Sequence, residues 1–165
     1  MTNLYFIRHG IAADRGIYDN DEDRPLTPVG NRKTRKIAQK FLQLGLKFDR
    51  ILSSPLVRAR QTAEILHKQG LSLAVEEFNP LSPYGNIQDW LRWYDQDSKA
   101  TDKNIALVGH QPDLGNWAEI LVWGESLEKL IVKKAGVIGI TLPENGTVIG
   151  KSQLFWLSPP KFLLG

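Results

Sequence analysis

The chain has 165 residues, 42% of them hydrophobic, which suits one domain with a substantial core and is too short to suggest two. It contains no cysteine, so disulfides, thiolate catalysis and cysteine-based zinc sites are excluded, and its net charge of +3 is nearly balanced. It also lacks an apolar run of membrane-spanning length and a signal-type N-terminal segment. We therefore expect a single cytoplasmic domain over residues 1–165 that binds neither nucleic acid nor membranes.

Two short apolar runs end in histidine-containing sequences. Leu4 to Ile7 predicts a buried strand because both of its faces are apolar, and Arg8-His9-Gly10 follows it directly. The run from Ile105 to Val108 is similar and ends in Gly109-His110. In open parallel α/β sheets the carboxyl edge of the strands is where ligands bind. The two runs therefore bring two imidazoles to one edge of the predicted sheet.

A polar, turn-rich segment from Ile11 to Arg24 follows the first strand and should lie on the surface. Thr27-Pro28 is a strong helix start, because threonine can cap the free backbone N–H groups and proline fits the first helical position. Apolar residues at helical spacing and the stop signal at Gly45 predict a helix from Pro28 to about Leu44.

Helix-type and strand-type segments alternate along the rest of the chain, with no internal repeat or linker. This alternation predicts a three-layer α/β/α fold, with a mainly parallel sheet flanked by helices and an antiparallel hairpin at the C-terminus. The predicted elements are a strand at Phe48–Leu52, a helix from Ser54-Pro55 to about Lys68, a weaker strand at Leu73–Val75, helices starting at Asn86 and Pro112 (the latter to about Val122), strands at Val137–Leu142 and Val148–Phe155 joined by an Asn145-Gly146 turn, and an irregular Pro159-Pro160 tail.

The residues at the predicted sheet edge suit phosphoryl transfer. His9 and His110 are candidates for a nucleophile and its electrostatic partner, and Arg8 and Arg58 are candidates for a planar clamp on an anion. A phosphoryl group in transfer spreads negative charge over its oxygens, and guanidinium groups stabilise that charge without a metal ion. The sequence thus predicts a site that needs no metal and no cofactor.

Each of these residues has a structural interpretation when taken alone. A histidine at a strand end is more often a structural residue than a catalyst, and Arg58 alone would be a surface cation of its helix. The case for catalysis rests on their coincidence at one edge of the sheet.

Four segments together resemble the histidine phosphatase superfamily, the phosphoglycerate-mutase-like or "RHG" enzymes. Their order along the chain makes the resemblance specific, and it covers most of the sequence. The segments are Arg8-His9-Gly10, Arg24-Pro25-Leu26-Thr27-Pro28-Val29-Gly30, Ser53-Ser54-Pro55-Leu56-Val57-Arg58-Ala59-Arg60-Gln61-Thr62-Ala63 and Val108-Gly109-His110.

The resemblance implies that His9 is phosphorylated during the reaction, that Arg8 and Arg58 hold the phosphate, and that His110 assists from the second strand. The short chain looks most similar to the SixA-type branch, whose members dephosphorylate phosphohistidine on proteins. Two segments carry this likeness, Arg24-Pro25-Leu26-Thr27 and Leu81-Ser82-Pro83-Tyr84-Gly85. Arg24 either joins the phosphate pocket or anchors its own loop.

One departure from the family pattern concerns the general acid. Where the SixA-type pattern has a glutamate immediately before a leucine, this chain has Pro80. Either Glu76 or Glu77 replaces that glutamate, or an acid comes from the segment Asp21 to Asp23, or no acid is used.

We therefore expect a metal-independent phosphohydrolase that forms a phosphohistidine intermediate, with phosphohistidine on a protein as the preferred substrate class. A phosphatase for a small sugar or nucleotide phosphate is a first alternative, although few residues separate Pro80 from His110 to build a lid. A module that binds phosphorylated partners without turnover is a second alternative. The presence of both histidines argues against it, because binding alone needs no nucleophile.

Overall fold

A six-stranded sheet forms the middle layer of the computed structural model, which describes residues 1–99 and 101–165. The strand order is β3-β2-β4-β1-β5-β6. The first four strands in this order are parallel, whereas β5 and β6 are antiparallel to their neighbours. The strands are β1 (Thr2–Arg8), β2 (Arg50–Ser53), β3 (Glu76–Glu77), β4 (Asn104–Gly109), β5 (Val137–Leu142) and β6 (Gln153–Ser158).

Helices cover both faces of the sheet, which confirms the α/β class and the mainly parallel sheet expected from the sequence. One face packs against the first two helices and the other against the next two, so the buried apolar residues form two clusters. Among the described residues, no helix combines the length and the apolar character needed to cross a membrane. The helices are α1 (Pro28–Gln43), α2 (Val57–Lys68), α3 (Ile87–Gln96), α4 (Asp113–Trp123) and α5 (Pro160–Leu164).

The central strands β1 and β4 are apolar because they are buried on both faces. Along β1, Leu4 and Phe6 belong to one core cluster, and Tyr5 and Ile7 belong to the other. The register of the parallel pair places Arg8 opposite Gly109. The residues that follow, at positions 9 and 110, therefore leave neighbouring strands at the same level.

Two elements of the parallel half differ from the sequence prediction. Strand β3 lies at Glu76–Glu77 and not at Leu73–Val75, because residues 76 and 77 are the ones that pair with β2, while Leu73 is almost fully exposed. Helix α2 begins at Val57, and its N-cap residue is Leu56. Ser54 therefore does not cap this helix, contrary to the prediction.

The C-terminal hairpin is antiparallel as predicted, but its turn is different. Thr141 pairs with Gln153, so residues 143–152 form a long connection instead of a tight Asn145-Gly146 turn. Val148, predicted to start the last strand, is buried against the core instead. The predicted irregular tail contains the short helix α5, with Pro160 in its first turn, a position that proline favours.

The cap of α1 provides a test of this local structure. The Thr27 hydroxyl accepts a hydrogen bond from the Gly30 N–H at 2.9 Å. We expect Thr27→Ala to lower the free energy of unfolding by about 1 kcal/mol, because the amide loses its partner. Urea unfolding of wild type, Thr27→Ala and Thr27→Ser measures this. The serine variant should stay close to wild type, and an equal loss in both variants would assign the effect to the methyl group.

Candidate active site

His9 lies just beyond β1, with only 6% of its surface exposed. Its Nδ1 is 2.7 Å from the carbonyl oxygen of Gly10. A carbonyl oxygen can only accept, so Nδ1 must carry the proton and donate. The neutral ring therefore keeps a lone pair on Nε2, the form that a nitrogen nucleophile needs.

His110 faces His9 from the end of β4. The two ring centroids are 5.2 Å apart, and His110 is 5% exposed. Its Nε2 is 2.8 Å from the hydroxyl oxygen of Ser54, and its Nδ1 has no hydrogen-bond partner among the described residues. The Ser54 oxygen also accepts the Leu56 N–H at 3.2 Å. If the hydroxyl donates to Nε2, the ring carries its proton on Nδ1, where it is free to donate to an anion.

Ser54 and Thr62 are site residues that the sequence interpretation missed. Ser54 orients His110, whereas the sequence assigned it to helix capping. The Thr62 hydroxyl accepts the Gly10 N–H at 3.0 Å and donates to the Arg58 carbonyl oxygen at 2.8 Å. It thereby ties α2 to the segment that carries His9. The available signal for Ser54 was a hydroxyl directly after a buried strand; Thr62 had no comparable signal.

Two arginines approach the histidines from different elements. Arg8 Nη1 donates to the Val132 carbonyl oxygen at 3.3 Å, and its Nε has no partner among the described residues. Arg58, only 4% exposed, lies in the first turn of α2. Its Nη1 donates to the carbonyl oxygen of Asp21 at 2.8 Å and its Nη2 to the carboxylate of the same residue at 3.1 Å. These guanidinium groups are thus oriented, but each retains an Nε donor without a partner among residues 1–99 and 101–165.

The carboxylate of Asp21 bridges two arginines. Its Oδ1 accepts from Arg24 Nε at 2.8 Å, while its Oδ2 accepts from Arg58. Arg24 is buried and also donates from Nη1 to the Ala13 carbonyl oxygen at 2.7 Å. Arg24 therefore anchors its loop, and it also lines the cleft.

Burial and nearby cations keep both imidazoles neutral. Desolvation, with smaller contributions from the charges of His110, Arg58 and Arg8, lowers the pKa of His9 to about 3. Desolvation and the charge of Arg58 lower the pKa of His110 to about 4. Burial alone would raise the pKa of Asp21, but the hydrogen bond from Arg24 and the charge of Arg58 keep it below its ordinary value.

These residues line one cleft of about 710 Å³ at the carboxyl edge of the parallel strands. The structure therefore brings together all five residues singled out from the sequence, from four separate parts of the chain. The lining residues are Arg8, His9, Ala12, Arg15, Gly16, Tyr18, Asp19, Asp21, Arg24, Arg58, Pro83, Tyr84, His110, Gln111, Pro112, Asp113 and Lys134.

Neither glutamate considered as a general acid lies in the cleft. Glu76 forms a salt bridge with Arg50, and Glu77 forms one with Arg60. Because both side chains form salt bridges outside the cleft, neither Glu76 nor Glu77 is placed to act as the general acid. Within the described residues, no group of three or more histidine, cysteine or acidic side chains could hold a metal ion.

The chain belongs to the histidine phosphatase superfamily (branch 1), whose family model matches residues 4–130. It is therefore a phosphatase, a hydrolase that acts on phosphorylated substrates. The cationic cleft and its two neutral imidazoles fit that activity.

Similar proteins extend over nearly the whole chain. An uncharacterized protein of Picosynechococcus sp. (strain ATCC 27264 / PCC 7002 / PR-6) is 47% identical over 98% of both chains. The solved structure of the protein histidine phosphatase SixA complexed with tungstate matches with a TM-score of 0.85 at 24% identity, covering 98% of this chain and 99% of that one. The alpha-ribazole phosphatase of Shigella flexneri matches with a TM-score of 0.67 at 18% identity, covering 96% and 97%. The structural matches establish the phosphoglycerate-mutase-like fold.

The lowered pKa values predict how the site responds to acid. The pKa values of His9 and His110 lie below the 6.5 of free histidine, so folding disfavours their protonation. Their contribution to stability is complete above pH 6.5 and is lost as the pH falls from there toward 3 to 4. Imidazole NMR titration, with resonances assigned through His9→Ala and His110→Ala, should give midpoints below pH 5 for both rings. A midpoint near 6.5 for either ring would contradict its burial in a cationic cleft.

Proposed function

We propose that the protein removes phosphate from phosphohistidine on a protein, with His9 as the nucleophile. His9 Nε2 attacks phosphorus, an N–P bond forms, and the bond from phosphorus to the substrate breaks with its electron pair leaving on the substrate. Water then attacks the phosphorylated His9. An O–P bond forms, the N–P bond breaks, and inorganic phosphate leaves as the neutral ring returns.

The state of His9 is the observation that carries this mechanism. Its Nδ1 donates to Gly10, and its lowered pKa keeps Nε2 unprotonated at neutral pH. A protonated imidazole could not attack phosphorus. Burial lowers the pKa of the ring and keeps it neutral, and the neutral ring is the form that acts as a nucleophile.

The cations around His9 have complementary proposed roles. Arg8 and Arg58 hold the phosphoryl oxygens, and His110 donates from Nδ1 to the charge that develops on them. Arg24 acts mainly through Asp21, because its Nε holds the carboxylate that also orients Arg58. The proposed site uses no metal ion and no cofactor.

The chemistry of the leaving group favours phosphohistidine. An alkoxide is a poor leaving group, since its conjugate acid is about as weak as water with its pKa of about 15.7, so ester hydrolysis benefits from a proton donor. An imidazole whose other nitrogen is protonated leaves as a neutral molecule, and its conjugate acid has a pKa of about 6.5. A site without a strong acid can therefore still cleave phosphohistidine.

The carboxyl groups of the cleft are poorly suited to donate that proton. Asp21 has a lowered pKa and two arginine partners, which favour its ionised form. The pKa of Asp113 is raised, chiefly by burial, but its carboxylate is already committed to the Tyr84 N–H, a hydrogen bond that favours the ionised form. Asp19 is exposed. This shortage of acids supports the phosphohistidine substrate over an alkyl phosphate.

The entrance to the cleft also favours a macromolecular substrate. Helix α3 follows Pro80 in the chain, packs Ile87 and Trp90 into the core and contributes no described residue to the cleft lining. It therefore does not act as a lid. The fold relative named as a protein histidine phosphatase supports this choice, whereas the relative named as alpha-ribazole phosphatase keeps a small phosphoester as the alternative substrate.

Replacing the nucleophile tests the mechanism. We expect His9→Ala to abolish turnover and to leave no acid-labile phosphate on the protein after a quench with labelled substrate. His67→Ala is the matched control, since His67 lies in α2 and does not line the cleft. The control should retain full turnover and full labelling. Substantial turnover by His9→Ala would exclude a covalent His9 intermediate.

A substrate panel tests the missing acid. Steady-state kcat/KM should favour a phosphohistidine peptide over an alkyl phosphate by about 10²–10⁴-fold, the usual contribution of a general acid, with aryl phosphates intermediate. Glu76→Gln and Glu77→Gln should change phosphohistidine turnover little, because both side chains point away from the cleft toward arginines. Equal efficiency on an alkyl phosphate would refute the proposed substrate preference and reveal an effective acid.

A further inference from the structure

An exposed tyrosine forms part of the cleft wall on the His110 side. Tyr84 is 93% exposed, yet it lines the same cleft as the histidines, beside Pro83 and Asp113. Its ring therefore gains almost nothing from packing within the protein. A large exposed side chain with apolar surface beside a ligand site indicates a contact with the ligand.

The backbone at Tyr84 is in a conformation that tyrosine disfavours. Its φ of +68° lies in the left-handed region, where glycine or asparagine is the usual choice for a turn. Strain of this kind persists only where the surrounding structure enforces it, and it is concentrated at functional sites. Nothing in the local fold requires a tyrosine at this position.

The carboxylate of Asp113 holds the strained turn in place. Its Oδ2 accepts the Tyr84 N–H at 2.8 Å, and the next amide, the Gly85 N–H, donates to the Ser82 carbonyl oxygen at 3.0 Å. Gly85 fits so closely that a Cβ there would lie 1.7 Å from the Pro80 carbonyl oxygen. The turn is therefore fixed from two sides, and Tyr84 is positioned before any ligand arrives.

The same short segment carries His110 and the residue that holds Tyr84. Asp113 opens α4 shortly after His110, and Gln111 and Pro112 between them also line the cleft. An in-line attack by His9 places the leaving group on the far side of phosphorus, away from His9 and toward the mouth of the cleft. Tyr84, almost fully exposed at the rim, is available to a group in that position.

We propose that Tyr84 determines specificity by packing its ring against the planar group that bears the phosphate, with Asp113 as its positioning residue. The identity of this planar group rests on the proposed function. For a phosphohistidine substrate, it is the imidazole leaving group. Offset or edge-to-face contact between aromatic rings favours a planar leaving group over an alkyl group of similar size. The expected gain is about threefold to tenfold in kcat/KM.

The test compares Tyr84→Phe, which keeps the ring, with Tyr84→Asn, which removes it and tolerates the positive φ. The substrates are phenyl phosphate, a phosphohistidine peptide and glycerol phosphate, with inhibition by inorganic phosphate as a further measurement. Leu73→Ala is the matched control, because Leu73 is 97% exposed and does not line the cleft.

We expect Tyr84→Asn to raise KM and to lower kcat/KM about threefold to tenfold on phenyl phosphate and the phosphohistidine peptide. Its activity on glycerol phosphate and its inhibition by inorganic phosphate should not change. Tyr84→Phe and Leu73→Ala should match wild type throughout. Wild-type kinetics of Tyr84→Asn on phenyl phosphate would overturn the proposal, as would equal losses on all substrates and on phosphate binding.

The phenyl phosphate measurements separate this inference from the proposed function. A wild-type enzyme inactive on the phosphohistidine peptide would refute the proposed substrate, while a Tyr84→Asn loss confined to phenyl phosphate would still support the ring contact. A cycle with Asp113→Ala tests the positioning role. The Asp113→Ala loss on phenyl phosphate should disappear in the Tyr84→Asn background, and an undiminished loss there would overturn the role of Asp113.

Discussion

The parallel pairing of β1 with β4 is the constraint on which the site depends. Because Arg8 lies opposite Gly109, the next residue of each strand is a histidine at the same level of the sheet. A shift of one residue would turn the apolar side chains of β1 to the wrong faces, so the two core clusters enforce this register. The packing that stabilises the sheet thereby fixes the 5.2 Å separation of the two rings.

The site concentrates positive charge where burial makes it costly. Arg58 and Arg24 are both buried, and Asp21 is the carboxylate that bridges them. Removing water from this cluster keeps the imidazoles neutral and strengthens attraction for a phosphoryl group. Within the part of the chain that the structure describes, donors on Arg8, Arg58 and His110 have no partner, which is a cost to the free protein, and an incoming phosphate can satisfy them.

The acidic residues show that their place in the fold decides which carboxylate reaches the cleft. Glu76 and Glu77 lie close in sequence to Pro80, where the family pattern has its acid. Strand β3 is nevertheless an edge strand, and both side chains form salt bridges with arginines outside the cleft. Asp21 is exposed, as the sequence predicts for its segment, and its carboxylate still reaches the two buried arginines. The sequence left these carboxylates as alternatives, and the fold brings Asp21, not Glu76 or Glu77, into the cleft.

The sequence by itself determined the elements whose signals are local. Apolar runs predicted β1 and β4, Thr27-Pro28 predicted the start of α1, and the residues after each central strand predicted a phosphate site. Only the tertiary structure decided that Ser54 meets His110, that Thr62 meets Gly10, and that Asp113 holds Tyr84. The physical reason is that these hydrogen bonds join residues far apart in the chain. Their geometry depends on strand register and helix packing, which no local pattern of residues encodes.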